Sequence, residues 1–258
     1  MSIAKARTSQ RKEQTWDATP SLQKLQIHQP ADERGTAASP QQSLTQTEDL
    51  PTICAGGNRS GIYLFVRRSI DIIGGLTALA LFAPIMLFST LVLLVTTRGR
   101  PIFRQQRIGF RGKPFTMYKF RTMSLNAESL RHLVTNERQG PVFKNRTDPR
   151  ITRFGRFLRS FSIDEMPQLF NVLRGDMSLV GPRPPIHEEV LQYTADQFKR
   201  LSVKPGLTCF WQVSGRAELD FEQQVALDVS YVQNQSLLCD VWLLLRTPLS
   251  VLTRRGAY

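Results

Sequence analysis

Asp164 and Glu165 stand side by side in Ser162-Ile163-Asp164-Glu165-Met166-Pro167-Gln168, and Gly181-Pro182-Arg183-Pro184 follows downstream. Two carboxylates so placed can hold a hard cation or supply an oxygen nucleophile. Ser162, with Glu165 three residues on, has the form of a capping box, which predicts that the pair opens a helix. A helix N-terminus and nearby arginines would keep both carboxylates ionised and lower their pKa values. An acidic first turn needs no chemical role, so the surroundings decide between a cap and a site. From Arg98 through Arg159, sixteen Lys/Arg face only Glu128, Glu137 and Asp148. Mg²⁺ typically takes one or two protein carboxylates and completes its shell with water and substrate phosphates. One Asp-Glu pair among many arginines therefore suits a metal-bound diphosphate better than a closed protein cage. Arg183 sits between two prolines of fixed φ, so it can be presented with little further loss of freedom.

The elements that must position these groups follow from the rest of the chain. Residues 1–58 balance six Lys/Arg against six Asp/Glu, so the net charge of +13 belongs to residues 59–258 and calls for an anionic partner. The first 58 residues carry too little apolar surface to offset ordering entropy and are expected to be a disordered extension. Cys54, Cys209 and Cys239 form no Cys-x-x-Cys pair, and His28, His132 and His187 are scattered. Zinc frameworks, disulfide scaffolds and a Ser-His-Asp triad are accordingly disfavoured, and a reducing, cytoplasmic setting is the default.

Ser69 to Thr97 is apolar apart from Asp71 and small polar residues. As one helix it would run roughly 40 Å, enough for one crossing. Pro84 near its middle, Arg67 and Arg68 before it, Arg98 and Arg100 after it, and Asp71 near one end argue for a broken helix that enters one leaflet and returns. A single crossing and a buried core helix are the competing readings. Pro101 to Met123 interleaves aromatic and basic residues around Gly109-Phe110-Arg111-Gly112-Lys113-Pro114, which predicts a β-hairpin with Lys119 and Arg121 on one face. Such interleaving also suits single-stranded nucleic acid, but no nucleic-acid-binding signature accompanies it and the apolar segment would be left unexplained. Helices are expected over Asn126 to Val134, over an amphipathic stretch carrying Ile151, Phe154, Leu158 and Phe161, and over 221–231 and 237–252. The amphipathic stretch is either an ordinary surface helix with a solvated face or, beside a membrane segment, an interfacial helix seated against anionic lipid.

Five motifs in order carry a resemblance to a family: Tyr118-Lys119-Phe120-Arg121-Thr122-Met123; Ser162 to Gln168; Asn171 to Pro184; Lys204-Pro205-Gly206-Leu207-Thr208 with Trp211-Gln212-Val213-Ser214-Gly215-Arg216; and Leu227-Asp228-Val229-x-Tyr231-Val232. From about Arg67 to Tyr258 the chain resembles the bacterial sugar transferases, the small monotopic polyprenyl-phosphate glycosyl-1-phosphate transferases. Arg255-Gly256-Ala257-Tyr258 is similar to the exopolysaccharide-initiating branch.

The resemblance implies an α+β, mainly helical monotopic membrane enzyme, with a re-entrant broken helix over 59–100 and a cytoplasmic catalytic domain over 101–258 at the bacterial inner membrane. It implies transfer of a sugar 1-phosphate, galactose or glucose, from a UDP-sugar to undecaprenyl phosphate with release of UMP, as the first membrane step of exopolysaccharide biosynthesis. Asp164 would be the nucleophile and a contact to Mg²⁺, and Glu165 a base or a support. Lys119, Arg121, Arg159 and Arg216 would contact phosphates or shape the site, and Pro182, Arg183 and Pro184 would help bind the uridine end. Asp228 would be a support residue of unassigned role. Ala83 and Cys209 depart from residues common in the family, and neither touches the dyad. Membrane lipid is the implied setting, nucleic acid is not an expected partner, and a homo-oligomer is left open. The alternative is a membrane-tethered basic module that binds anionic lipid or nucleic acid and whose dyad only caps a helix.

Overall fold

A computed structural model describes residues 60–137, 145 and 147–253. The expected extension over 1–58 and the C-terminal Arg255-Gly256-Ala257-Tyr258 lie outside the described residues. The described chain is α+β: helices packed around two small two-stranded sheets.

The first helix, α1 (Gly61–Thr96), is capped by Ser60, whose Oγ accepts from the Tyr63 N–H at 3.2 Å, and stays helical through Pro84, so the break expected there does not interrupt the helix. At 36 residues it is roughly 54 Å long. Tyr63, Arg67, Asp71 and Gly75 recur every fourth residue and form a buried stripe. Asp71 Oδ1 accepts from Ser178 Oγ at 2.9 Å and from the Leu179 N–H at 2.8 Å. Arg68 donates to the Val172 and Leu173 carbonyls, both at 2.7 Å, near the end of a short helix where carbonyls lack helical partners. Arg67 donates to Ser178 Oγ at 3.1 Å and to the Val180 carbonyl. The charged groups that look in sequence like headgroup-level flanks therefore fasten the helix to the rest of the protein. Further along, Leu93 and Met86 pack with Phe120, Leu158 and Ile163. Both halves of α1 thus rest on the same body, while Phe65, Ile73, Leu76, Leu81, Leu87 and Phe88 remain exposed.

The hairpin forms as expected: β1 (Ile102–Ile108) pairs antiparallel with β2 (Pro114–Phe120), Ile102 opposite Phe120 and Ile108 opposite Pro114. The helix expected over Asn126 to Val134 is instead a run of turns ending in a 3-10 segment, Arg131–Leu133. That stretch has little to bury: Leu125, Leu130 and Leu133 are exposed, and helices this short depend on packing. Helix α2 (Arg153–Ser160) begins at Thr152, whose Oγ1 accepts from the Gly155 N–H at 2.9 Å. It buries Leu158 and turns Arg153, Arg156 and Phe157 outward.

Helix α3 (Gln168–Arg174) stops at Gly175, whose φ of 87° is the left-handed cap glycine favours. Two short strands, β3 (Ser178–Val180) and β4 (Gly206–Thr208), pair in parallel. A Cβ on Gly206 would collide with the backbone of Gly181, which explains glycine on both sides of this crossing. Helices α4 (His187–Val190), α5 (Phe210–Ser214), α6 (Phe221–Gln233) and α7 (Leu237–Thr253) complete the described chain. The capping box absent at Ser162 occurs at α6, between Asp220 and Gln223, and α7 continues through Pro248. The main core joins Leu169, Val172, Met177, Val180, Phe210, Tyr231 and Leu243, with Ile70, Ala78 and Leu79 of α1 packed against it.

Candidate active site

The dyad occupies a 3-10 turn, Ile163–Glu165, between α2 and α3. Ser162 takes a left-handed conformation, φ 56° and ψ 19°, and its side chain caps nothing. The capping box expected from the sequence is therefore not formed, because a cap residue needs extended backbone and Ser162 is spent on reversing the chain after α2. A non-glycine residue held at positive φ is strained, and this one lies two residues before Asp164.

The two carboxylates are unlike. Glu165 Oε1 accepts from Lys119 Nζ at 2.6 Å. Burial works to raise the Glu165 pKa, but Lys119, Arg183 and Arg216 outweigh it and hold the carboxyl below its ordinary value. Asp164 is 9% exposed, and among the described residues no side chain donates to it. Burial and the neighbouring Glu165 charge push its pKa up to about 6, against the pull of Lys119 and Arg159. This reverses the lowered value expected of a helix-capping aspartate: desolvation exceeds the attraction of cations that sit beside the carboxylate without bonding to it.

Glu165 opens onto a cleft lined also by Arg107, Met117, Lys119, Gln168, Arg183, Pro184, Gly206, Leu207, Trp211 and Gln212. The hairpin, the dyad turn, the proline loop and the segment from β4 into α5 all meet there. The proline loop is clamped along its backbone. Gly181 N–H donates to the Thr208 carbonyl at 2.9 Å, and Gly206 N–H to the Pro182 carbonyl at 2.9 Å. Arg200 donates to the Arg183 carbonyl at 3.3 Å, Arg107 to the Pro184 carbonyl at 3.1 Å, and Ile108 N–H to the Pro185 carbonyl at 2.9 Å. Arg200 is held by the fully buried Asp228, whose carboxyl burial pushes up to about 6 in spite of Arg200 and Arg183. Asp228, assigned no role from sequence, thus supports the loop that presents Arg183. The Arg183 side chain, 29% exposed, lies 3.5 Å from Glu189 Oε1.

Of the residues singled out in sequence, the structure gathers Lys119, Glu165, Arg183 and Pro184 around one cleft, with Asp164 adjacent in the turn. Arg216, at φ 50°, adds its charge to Glu165, and Arg159 adds its own to Asp164 while donating to Thr122 Oγ1 at 2.9 Å. Arg121 stands apart: it lies just past β2 and donates to the Arg100 carbonyl at 2.9 Å, closing the base of the hairpin. Pro182 contributes its carbonyl to the β4 contact. Arg107, Gln168, Trp211, Arg200 and Glu189 were missed in sequence. Arg107 was one of six basic residues in the hairpin, and only strand register sets it opposite Phe115 and against Pro184. Cys209 and Cys239 are buried.

The bacterial sugar transferase family model matches residues 62–254. The undecaprenyl-phosphate galactose phosphotransferase of Salmonella typhimurium is 45% identical over 204 residues, covering 75% of this chain and 42% of the relative. Galactosyl transferase CpsE of Streptococcus agalactiae is 44% identical over 76% of this chain and 44% of its own length. The UDP-glucose:undecaprenyl-phosphate glucose-1-phosphate transferase of Caulobacter vibrioides is 38% identical over 83% of this chain and 80% of its own. The chain thus spans less than half the length of the first two relatives and most of the third. The family match runs from the start of α1 to the end of α7 and takes in every element that lines the cleft, so the chain belongs to the bacterial sugar transferase family.

Proposed function

We propose that the protein transfers a sugar 1-phosphate, galactose or glucose, from a UDP-sugar to undecaprenyl phosphate, initiating an exopolysaccharide at the cytoplasmic face of the inner membrane. The names of the Salmonella and Caulobacter relatives support the donor class, the lipid acceptor and both sugars. The observation that carries the reading is the inequality of the dyad: Glu165 is paired with Lys119, while Asp164 receives no side-chain donor among the described residues and feels the charges of Lys119 and Arg159.

An Asp164 oxygen attacks the sugar-bearing phosphorus of the UDP-sugar. The bond from that phosphorus to the bridging oxygen breaks, and UMP leaves with the electron pair. The resulting aspartyl phosphosugar is opened by a phosphate oxygen of undecaprenyl phosphate, which restores the Asp164 carboxylate and yields undecaprenyl diphosphate sugar. Lys119, Arg183, Arg159 and Arg216 supply positive charge around the transferring phosphates. Glu165, paired with Lys119 at 2.6 Å, keeps that lysine in place and serves as the support rather than the nucleophile.

Asp164 offers a carboxylate to which no described side chain donates, and such a group could hold a Mg²⁺ whose remaining positions are filled by substrate phosphates and water. When bound, the ion neutralises diphosphate charge that develops further in the leaving UMP. The re-entrant reading of α1 draws support from both of its halves packing on the same body, which a crossing helix with a one-sided domain would not do. A binding module alone would not account for a buried carboxylate that receives no side-chain donor among the described residues beside a cation-lined cleft.

The full chain in detergent, given a UDP-sugar, undecaprenyl phosphate and Mg²⁺, is expected to release UMP with UDP-galactose or UDP-glucose, and to stop when EDTA is added. No UMP from any UDP-sugar would refute the reading.

A further inference from the structure

Three side-chain N–H groups of the cleft lining are buried without an acceptor: Arg107 Nε, Gln168 Nε2 and Trp211 Nε1. Arg107 is 8% exposed and Gln168 3%. A buried donor left unpaired costs about 1–3 kcal/mol, so native proteins carry few of them. Three on one cleft mark a place built for a ligand rich in acceptors. The walls beside them are apolar: Met117, Pro184, Leu207 and the Trp211 ring. Gln168 and Trp211 carry no charge, and Arg107 has already committed its other nitrogens to Pro184 O and Gln105 Oε1. The more exposed cations of the cleft, Lys119 and Arg183, are the groups suited to phosphate.

We infer that this part of the cleft is a base subsite for uracil, in which Gln168, Trp211 and Arg107 donate to the ring carbonyls between the apolar walls. The inference rests on the UDP-sugar reading and extends it to the residues that select the nucleoside. Uracil presents two carbonyl acceptors, whereas cytosine carries an amino donor in place of one of them, and that donor would face N–H groups. A site built to hydrogen-bond one group rejects an analogue that leaves its donors unpaired. Trp211, the partly exposed wall, is the ring whose emission would report a base bound there.

The test measures binding of UMP, CMP and inorganic pyrophosphate to the full chain in lipid nanodiscs, by calorimetry and by tryptophan emission. The wild type is expected to prefer UMP over CMP by at least about tenfold. Gln168→Leu, close in shape, and Trp211→Phe should each reduce that preference severalfold while pyrophosphate still binds, which also shows that each variant is folded. UMP should change the tryptophan emission of the wild type and not that of Trp211→Phe. Equal binding of UMP and CMP to the wild type, or full preference in both variants, would overturn the inference. Parallel loss of UMP and pyrophosphate binding would also overturn it, marking a phosphate contact instead. Wild type that releases UMP from UDP-sugar but fails these outcomes loses only the base subsite; wild type that binds neither UMP nor pyrophosphate loses the UDP-sugar reading as well.

Discussion

Lys119 Nζ lies 2.6 Å from Glu165 Oε1, and its charge also reaches Asp164, so one ammonium favours the ionised form of both carboxylates and prevails over burial only at Glu165. Replacing it with Met removes the cation and leaves two adjacent acids in a desolvated turn, where burial and their mutual repulsion favour protonation. Lys119→Met is expected to reduce kcat/KM for UMP release by at least about tenfold, an effect of about 1.4 kcal/mol on the barrier. Wild-type kinetics in that variant would remove Lys119 from the site. The presence of two acids in a cation-rich setting is legible in the sequence, and the family resemblance marks Lys119 as a site residue without pairing it to either acid. Their inequality is not: it depends on Lys119 reaching Glu165 from another strand and on Asp164 being buried, and neither fact has a local signature. Arg107 shows the same limit, since what distinguishes it from Arg104 and Arg111 is a carbonyl 77 residues away.

The hairpin, α2, α6 and α7 follow from periodicity and turn residues, and the structure contains all four. The exceptions are informative. Ser162-x-x-Glu165 has the letters of a capping box, yet the chain must reverse between α2 and α3 within a few residues, and this tertiary demand overrides the local preference. Asn126 to Val134 has helical spacing but nothing to pack against. The pairing of β3 with β4 joins segments 28 residues apart through a backbone crossing that glycine alone admits, one from each of two sequence motifs. Gly206→Ala would drive a methyl group into the Gly181 backbone, and the strands would have to separate. We expect it to lower stability by about 1–3 kcal/mol, as overpacking does, and to weaken activity further by displacing the clamped loop that presents Arg183. Unchanged thermal unfolding would contradict the packing account.

At the scale of the molecule, α1 combines an apolar exposed flank with a polar buried stripe, and the stripe binds it to the core that carries the site. Composition predicts the flank; it cannot predict that Arg67, Arg68 and Asp71 face inward. With both halves on one body, Gly61→Cys and Arg100→Cys should both react with an impermeant maleimide from the cytoplasmic side of membrane vesicles; labelling of either from the opposite side would contradict the re-entrant reading. On the proposed function, a dyad cleft held against such a helix would let a water-soluble donor and a lipid acceptor meet at the Asp164 carboxylate in turn. That proposal calls for a covalent enzyme between the two half-reactions. The most direct test is the intact mass of the full chain after incubation with UDP-sugar and Mg²⁺ in the absence of undecaprenyl phosphate. The account predicts a gain equal to one hexose phosphate, discharged by adding undecaprenyl phosphate and absent from Asp164→Asn. UMP release by the wild type with no adduct, or an adduct that persists in Asp164→Asn, would contradict it.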